Sequence, residues 1–256
     1  MKQRIVVKFG TGVLSRPAGK SLDTAQFTRI AKECASLRNK GYDCVLVSSA
    51  AIAAGVRVMG LAGRPDDLPG KQACAAAGQP ELMRLYASSF RKHGLNVAQL
   101  LLTHGDIDSV SRRQNARNTI ERLLANGIVP IINENDSVAV EELRFGDNDR
   151  LSAEVARLVE AACLLILTSV DGLQDVDGCR IPRVARIGDV LRLVRPEKGA
   201  ESVGGMQTKL EAIRLASNSG IAAHILDGRK PGQILKALSG ADVGTAFPSA
   251  RRSRAK

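Results

Sequence analysis

The sequence predicts an α/β fold, a three-layer αβα sandwich around a mostly parallel central sheet. Three observations predict it. Strand-length apolar runs alternate with amphipathic helical stretches along the whole chain, as in a parallel sheet covered by helices on both faces. The runs at 128–132 and 163–167 are apolar from end to end, as strands buried on both faces are. Several runs then break off into polar residues or glycine, and open α/β sheets keep their ligand crevice at such strand ends.

Taken in order, residues 5–9 form a strand closed by the turn Gly10-Thr-Gly12. Residues 22–37 read as a helix, with Asp23 near its start and Gly41 after its end. A strand at 44–47 runs into Ser48-Ser49, which opens a small-residue helix reaching Val58. Ala50 precedes Ala51-Ile-Ala-Ala54, a good helical run, so a helical φ is expected there. A loop at 60–70 with two prolines leads to two helical segments, separated near Gly78-Gln-Pro80 because proline breaks helices. A strand at 96–102 and a helix at 111–126, stopped by Gly127, bring the chain to its central strand at 128–132. Residues 138–145 fit a hairpin, and Asp147, Asn148 and Asp149 stand where a helix carrying Leu151, Val155, Leu158 and Val159 begins. A strand at 163–168 follows, then a loop-rich basic stretch at 170–199. A helix at 206–218, a strand at 221–226 and a helix at 232–238 complete the pattern. With no internal repeat and no linker, residues 1–250 are expected to form one domain, with 251–256 as a disordered tail.

Composition narrows the function classes. The net charge of +11 includes four positive charges in that tail (Arg251, Arg252, Arg254 and Lys256). The remainder would steer anionic small molecules or nucleic acid equally well. Only 3% of residues are aromatic and none is Trp, which leaves little for base stacking and disfavours nucleic acid as a partner. No apolar run has the length of a membrane span, and a strand starting at residue 4 leaves no room for a signal peptide. Five cysteines without a CxxC pair indicate reduced packing residues and a cytoplasmic location. Three scattered histidines offer no metal cluster.

The chemistry lies at the strand ends. Residues 128–132 open into Asn133, Glu134, Asn135 and Asp136, with Asp147, Asn148 and Asp149 close behind. Each cluster alone is readily a helix cap; together, amides and carboxylates suit a ligand bearing an ammonium and carboxylates. Lys8 sits in an apolar strand, where an ammonium is costly unless it meets an anion; an edge-strand lysine reaching solvent is the alternative. Glycines before a helix that carries Thr208 and Lys209 in its first turn make a plausible phosphate site, or only a Gly-rich turn. Gly10-x-Gly12-x-x-Ser15 lacks the third glycine of a dinucleotide fingerprint, and no P-loop motif occurs.

Five stretches, Lys8-Phe-Gly-Thr-Gly-Val-Leu14, Ser48-Ser-Ala-Ala-Ile-Ala-Ala-Gly55, Ile132-Asn-Glu-Asn-Asp136, Gly146-Asp-Asn-Asp149 and Gly204-Gly-Met-Gln-Thr-Lys209, resemble in order and spacing the motifs of the glutamate 5-kinase branch of the amino acid kinase family. The resemblance runs from residue 5 to about Phe247. It implies an amino acid kinase-like fold and ATP-dependent phosphorylation of the side-chain carboxylate of L-glutamate, the first step of proline biosynthesis. ATP and Mg²⁺ are the implied cofactors, a homo-oligomer is expected, and feedback inhibition by proline is implied. Carried over by position, Lys8 and Lys209 flank the transferring phosphoryl group and Asp149 orients them. Ser49, Asp136 and Asn148 bind glutamate, with Asn133 and Asp147 close by. Lys8, Thr168, Ser169, Val203, Gly204, Gly205, Met206, Gln207, Thr208 and Lys209 bind the nucleotide. The chain departs from the family at Ala50, where glycine is usual, at Ser169, where aspartate is usual, and at Ser202-Val203, where Gly-Thr is common. The resemblance covers the kinase domain only, so a chain without the C-terminal PUA domain that many members carry is expected. Another amino acid kinase, using acetylglutamate or carbamate, would share Lys8 and Lys209; a catalytically weak sensor would tolerate Ala50 and Ser169.

Overall fold

The computed structural model describes residues 2–16, 21–139, 148–191 and 205–249. The tail at 251–256, the proposed hairpin beyond Ala139, and Asp147, Val203 and Gly204 lie outside them.

Seven strands form one sheet: β1 (Gln3–Phe9), β2 (Tyr42–Ser48), β3 (Val97–Leu102), β4 (Val129–Glu134), β5 (Cys163–Thr168), β6 (Ala222–Asp227) and β7 (Thr245–Phe247). Their order is β3-β4-β2-β1-β5-β6-β7. Every pairing is parallel except β6 with β7. Parallel strands joined by crossovers bring their C-terminal ends to one edge of the sheet, so Phe9, Ser48, Glu134 and Thr168 all finish there. β1 pairs with β2 on one side and β5 on the other, placing Lys8 opposite Val47 and Ile166. Lys8 is therefore on an interior strand, and the solvent-reaching edge lysine is excluded.

Side chains alternate across a strand. Ile5, Val7 and Phe9 enter the core on one face, and Val6 enters the core on the other. The first face is covered by α2 (Thr24–Asn39), α4 (Leu68–Arg91) and α10 (Gln233–Leu238), which bring Phe27, Tyr86, Phe90 and Ile234 to it. The second is covered by α6 (Val110–Ala125), α7 (Asn148–Leu158) and α9 (Met206–Asn218), which bring Ile120, Leu151, Val155 and Ile213. The period of two puts Lys8 on the face of Val6, toward α7 and α9. Shorter helices are α1 (Thr11–Leu14), α3 (Ala51–Val58), α5 (His104–Asp108) and α8 (Ile187–Leu191).

Several expectations are corrected. The segments expected on either side of Gly78-Gln-Pro80 are one helix of 24 residues with Pro80 inside it. Tertiary packing overrides the breaker: a Cβ on Gly78 would collide with the Ala51 carbonyl, and one on Gly55 with the Cys74 carbonyl. The backbones of α3 and α4 thus approach more closely than any side chain allows. Ser48 still belongs to β2, and α3 begins only at Ala51. Ala50 has φ 79° and ψ 12°, left-handed rather than helical. Its good helical neighbours did not decide its conformation; the sharp turn from strand to helix did. The capping box of α5 at Thr103 and Asp106, helix α8 and strand β7 were not foreseen either.

Candidate active site

Three charged groups from distant parts of the chain meet beyond the end of β1. Lys8 Nζ lies 2.5 Å from Asp149 Oδ1, and Lys209 Nζ lies 3.2 Å from Asp149 Oδ2. The Thr208 hydroxyl lies 3.1 Å from Asp149 Oδ2 and 2.9 Å from the Gly205 carbonyl oxygen. Asp149 is 1% exposed, Lys8 5% and Lys209 7%, so each charge has left water and depends on the others. Burial pushes the Asp149 carboxyl up, but the two lysines more than offset it and hold it below its ordinary value. Asp149 also stands in the first turn of α7, where the helix dipole favours a carboxylate. Lys209 is in the first turn of α9, where the same dipole opposes an ammonium. Two lysines against one carboxylate leave the triad one positive charge in excess, and both that charge and the α9 dipole favour an added anion.

Gly10 and Gly12 border this cluster. Neither has a positive φ, and a Cβ at either position would meet only ordinary van der Waals contacts. A Cβ on Gly10 would lie 3.8 Å from Lys8 Nζ, and one on Gly12 3.8 Å from Ser169 Oγ. Arg229 donates to the Gly12 carbonyl at 3.0 Å, closing the turn from the far side; no local motif marks it. Thr168 ends β5, its carbonyl accepting from the Gly228 N–H at 2.7 Å, and Ser169 is exposed beside it. Gly205 caps α9, and Met206 is half-buried behind it. Gln207 is not drawn inward; its exposed amide meets Glu211 at 3.3 Å.

Next to the charges lies a neutral cluster. Asn148 Nδ2 donates to Ser49 Oγ at 3.1 Å and to Asn133 Oδ1 at 3.2 Å. Asn133 Nδ2 donates to Gln79 Oε1 at 2.9 Å, and Gln79 Nε2 to Gln99 Oε1 at 2.9 Å. Gln79 was absent from the sequence-based site because its neighbours read as a helix break. Asp136 sits in the turn after β4, half-buried. Burial lowers the Arg64 guanidinium while nearby Asp136 pulls it back up, so Arg64 belongs to this neighbourhood too. Among the described residues, no three His, Cys, Asp or Glu side chains converge to hold a metal ion. No helix among them is long and apolar enough to cross a membrane. A cavity of about 720 Å³ between α6, α7 and α9 shares only Thr208 with these groups.

A parallel sheet with two buried lysines sharing an aspartate, beside an amide cluster at the strand ends, has the form of a phosphoryl-transfer site. Residues 3–227 match the profile of the Amino acid kinase family. The chain belongs to the amino acid kinase family. Its relatives include the glutamate 5-kinase of Thermus thermophilus, 48% identical over 257 residues, covering 98% of this chain and 69% of the relative. The glutamate 5-kinase of Geobacter metallireducens is 45% identical over 258 residues with the same coverage. In shape the chain is similar to a carbamate kinase from Giardia (TM-score 0.68, 17% identity, 97% of this chain and 99% of that one). It is similar also to a UMP kinase from Bacillus anthracis (TM-score 0.63, 18% identity, 97% of each chain). At such identities the likeness is one of fold.

Proposed function

We propose that this chain transfers the γ-phosphoryl group of ATP to the side-chain carboxylate of L-glutamate, giving L-glutamyl 5-phosphate and ADP, the first step toward proline. The observation that carries the reading is the buried Lys8–Asp149–Lys209 triad adjoining the Ser49–Asn148–Asn133 cluster. The high identity to glutamate 5-kinases supports the choice of acceptor.

The reaction brings two anions together, so positioning and charge neutralisation dominate. A glutamate Oε forms the new bond to the γ-phosphorus, while the bond from that phosphorus to the β,γ-bridging oxygen breaks and ADP leaves with its electron pair. The acceptor carboxylate is already ionised at neutral pH, so no general base is required. Lys8 and Lys209 neutralise the charge on the transferring group, and Asp149 holds both ammoniums in register. The Gly10–Gly12 backbone and the start of α9 receive the phosphates, with Thr168 and Ser169 on the nucleotide side. Asp136 pairs with the substrate ammonium, and Ser49 donates to a carboxylate. Magnesium carried on the nucleotide's phosphates would supply further charge neutralisation. Asp147, Val203 and Gly204 belong to the same reading by position. So do inhibition by proline, a homo-oligomer and a cytoplasmic location.

ADP release measured with glutamate, N-acetylglutamate, aspartate or no acceptor tests the reading. Release dependent on glutamate, with hydroxamate trapping of the acyl phosphate, is the expected outcome. Preference for another acceptor would replace the substrate, and acceptor-independent binding without turnover would favour a sensor.

A further inference from the structure

Amide side chains look alike end to end, so their orientation must come from a partner that can only donate or only accept. The cluster contains one such partner. The backbone N–H of Glu134 donates to Asn133 Oδ1 at 3.0 Å. That places the Asn133 oxygen at Glu134 and its Nδ2 at Gln79 Oε1, and directs Gln79 Nε2 to Gln99. In the other direction, Asn133 Oδ1 accepts from Asn148 Nδ2, which also reaches Ser49 Oγ. Two consequences follow for the ligand. Asn148 Oδ1 is buried and has no hydrogen-bond partner among the described residues, so it awaits a donor. Ser49 Oγ accepts from Asn148, which frees its hydroxyl proton for an acceptor.

We propose that Gln79 is a positioning residue for the amino-acid substrate: by accepting from Asn133 Nδ2 it holds in place the side chain whose polarity the Glu134 N–H sets, and with it the Asn133–Asn148–Ser49 relay. Asn148 Oδ1 then faces the α-ammonium, and the Ser49 hydroxyl faces a carboxylate. Gln79 is 7% exposed on α4, just before Pro80. It reaches the substrate only through Asn133 and Asn148, and Gln99, which is exposed, is its outer tether. Without Gln79 the buried Asn133 Nδ2 loses its acceptor and its tether, so Asn133 no longer holds Asn148 where its Oδ1 meets the ammonium. The inference rests on the proposed function, because it takes the ligand to be an α-amino dicarboxylate.

The test compares glutamate with glutarate, which lacks the ammonium, in wild type, Gln79→Leu and Gln79→Glu. Gln79→Leu should raise the glutamate KM about tenfold or more and leave the ATP KM within about twofold. The glutamate-over-glutarate ratio of kcat/KM should fall by at least about tenfold, because discrimination of a buried polar group is what is lost. Gln79→Glu retains an acceptor for Asn133 Nδ2 and should recover most of that ratio. Should the leucine variant not fold, Gln79→Met replaces it, with folding checked by circular dichroism. A Gln79 variant that slows both acceptors equally, or raises both KM values together, would reduce Gln79 to a packing residue and overturn the proposal. Failure of wild type to phosphorylate glutamate would instead sink the function itself, and this inference with it.

Discussion

The two halves of the site solve different problems with different materials. The phosphoryl half is charged, and its Lys8, Asp149 and Lys209 are all buried. Each would be prohibitively placed without the others, and together they still carry excess positive charge. The acceptor half is built on a neutral relay beside the Asp136 carboxylate: Gln79, Asn133, Asn148 and Ser49 hand hydrogen bonds from one to the next. A charged cluster stabilises charge that moves during reaction. An amide relay instead supplies direction, and direction is what separates one amino acid from another. The charged half should therefore govern kcat and the acid limit of stability, and the neutral half the KM of the acceptor.

The largest effect should follow from removing the shared carboxylate. Asp149→Ala leaves two buried ammoniums facing each other and should cost about 3–5 kcal/mol of stability, read from urea unfolding. Because its folded pKa lies below the ordinary 3.8, Asp149 contributes stability that is fully present above about pH 4 and is lost as pH falls through the lowered folded value. Asp149→Asn should accordingly flatten the acid limb of a Tm-against-pH curve; an unchanged limb would mean that the lysines do not hold the carboxyl down.

Lys8→Ala and Lys209→Ala come next. Each should lower kcat about a hundredfold or more while circular dichroism shows a folded protein. Near-normal turnover in either would remove that lysine from the charged half. Smaller, and on the other side of the comparison, Asn148→Ala and Asp136→Ala should raise the glutamate KM about tenfold and spare the ATP KM. An equal rise in both constants would erase the division into halves.

The smallest effect concerns Ala50, beside Ser49 where the neutral half begins. Its left-handed φ of 79° costs an L-residue about 1–2 kcal/mol, against about 0.5–1 kcal/mol for the extra freedom of glycine. Ala50→Gly should thus stabilise the protein by up to about 1 kcal/mol, the reverse of the loss that a helical φ would predict. Its kcat/KM should stay within about tenfold, measured beside the thermal shift. A several-hundredfold gain would show that alanine here had degraded the kinase, and a lower Tm would reject the strained backbone.

The sequence by itself determined the parallel sheet and most of its helices, because apolar period and run length are local signals that burial reinforces at 128–132 and 163–167. It marked Lys8, Asn133, Asn148 and Asp149 as well, since a lysine in an apolar strand and clustered polar residues beside one are locally conspicuous; Lys209, behind an ambiguous glycine-rich turn, stood out only through the resemblance to amino acid kinase motifs. Tertiary structure alone decided that Lys8 and Lys209 share one carboxylate, which needs β1, α7 and α9 on one face of the sheet. The same holds for Gln79, whose role exists only because α4 passes unbroken through Pro80 beside β4. It holds too for Ala50, where the path from β2 into α3, pressed close to α4 through Gly55 and Gly78, overrode the helical preference of its neighbours. Propensity acts over a few residues at a fraction of a kcal/mol each, and contacts between distant elements outweigh it wherever backbones must meet.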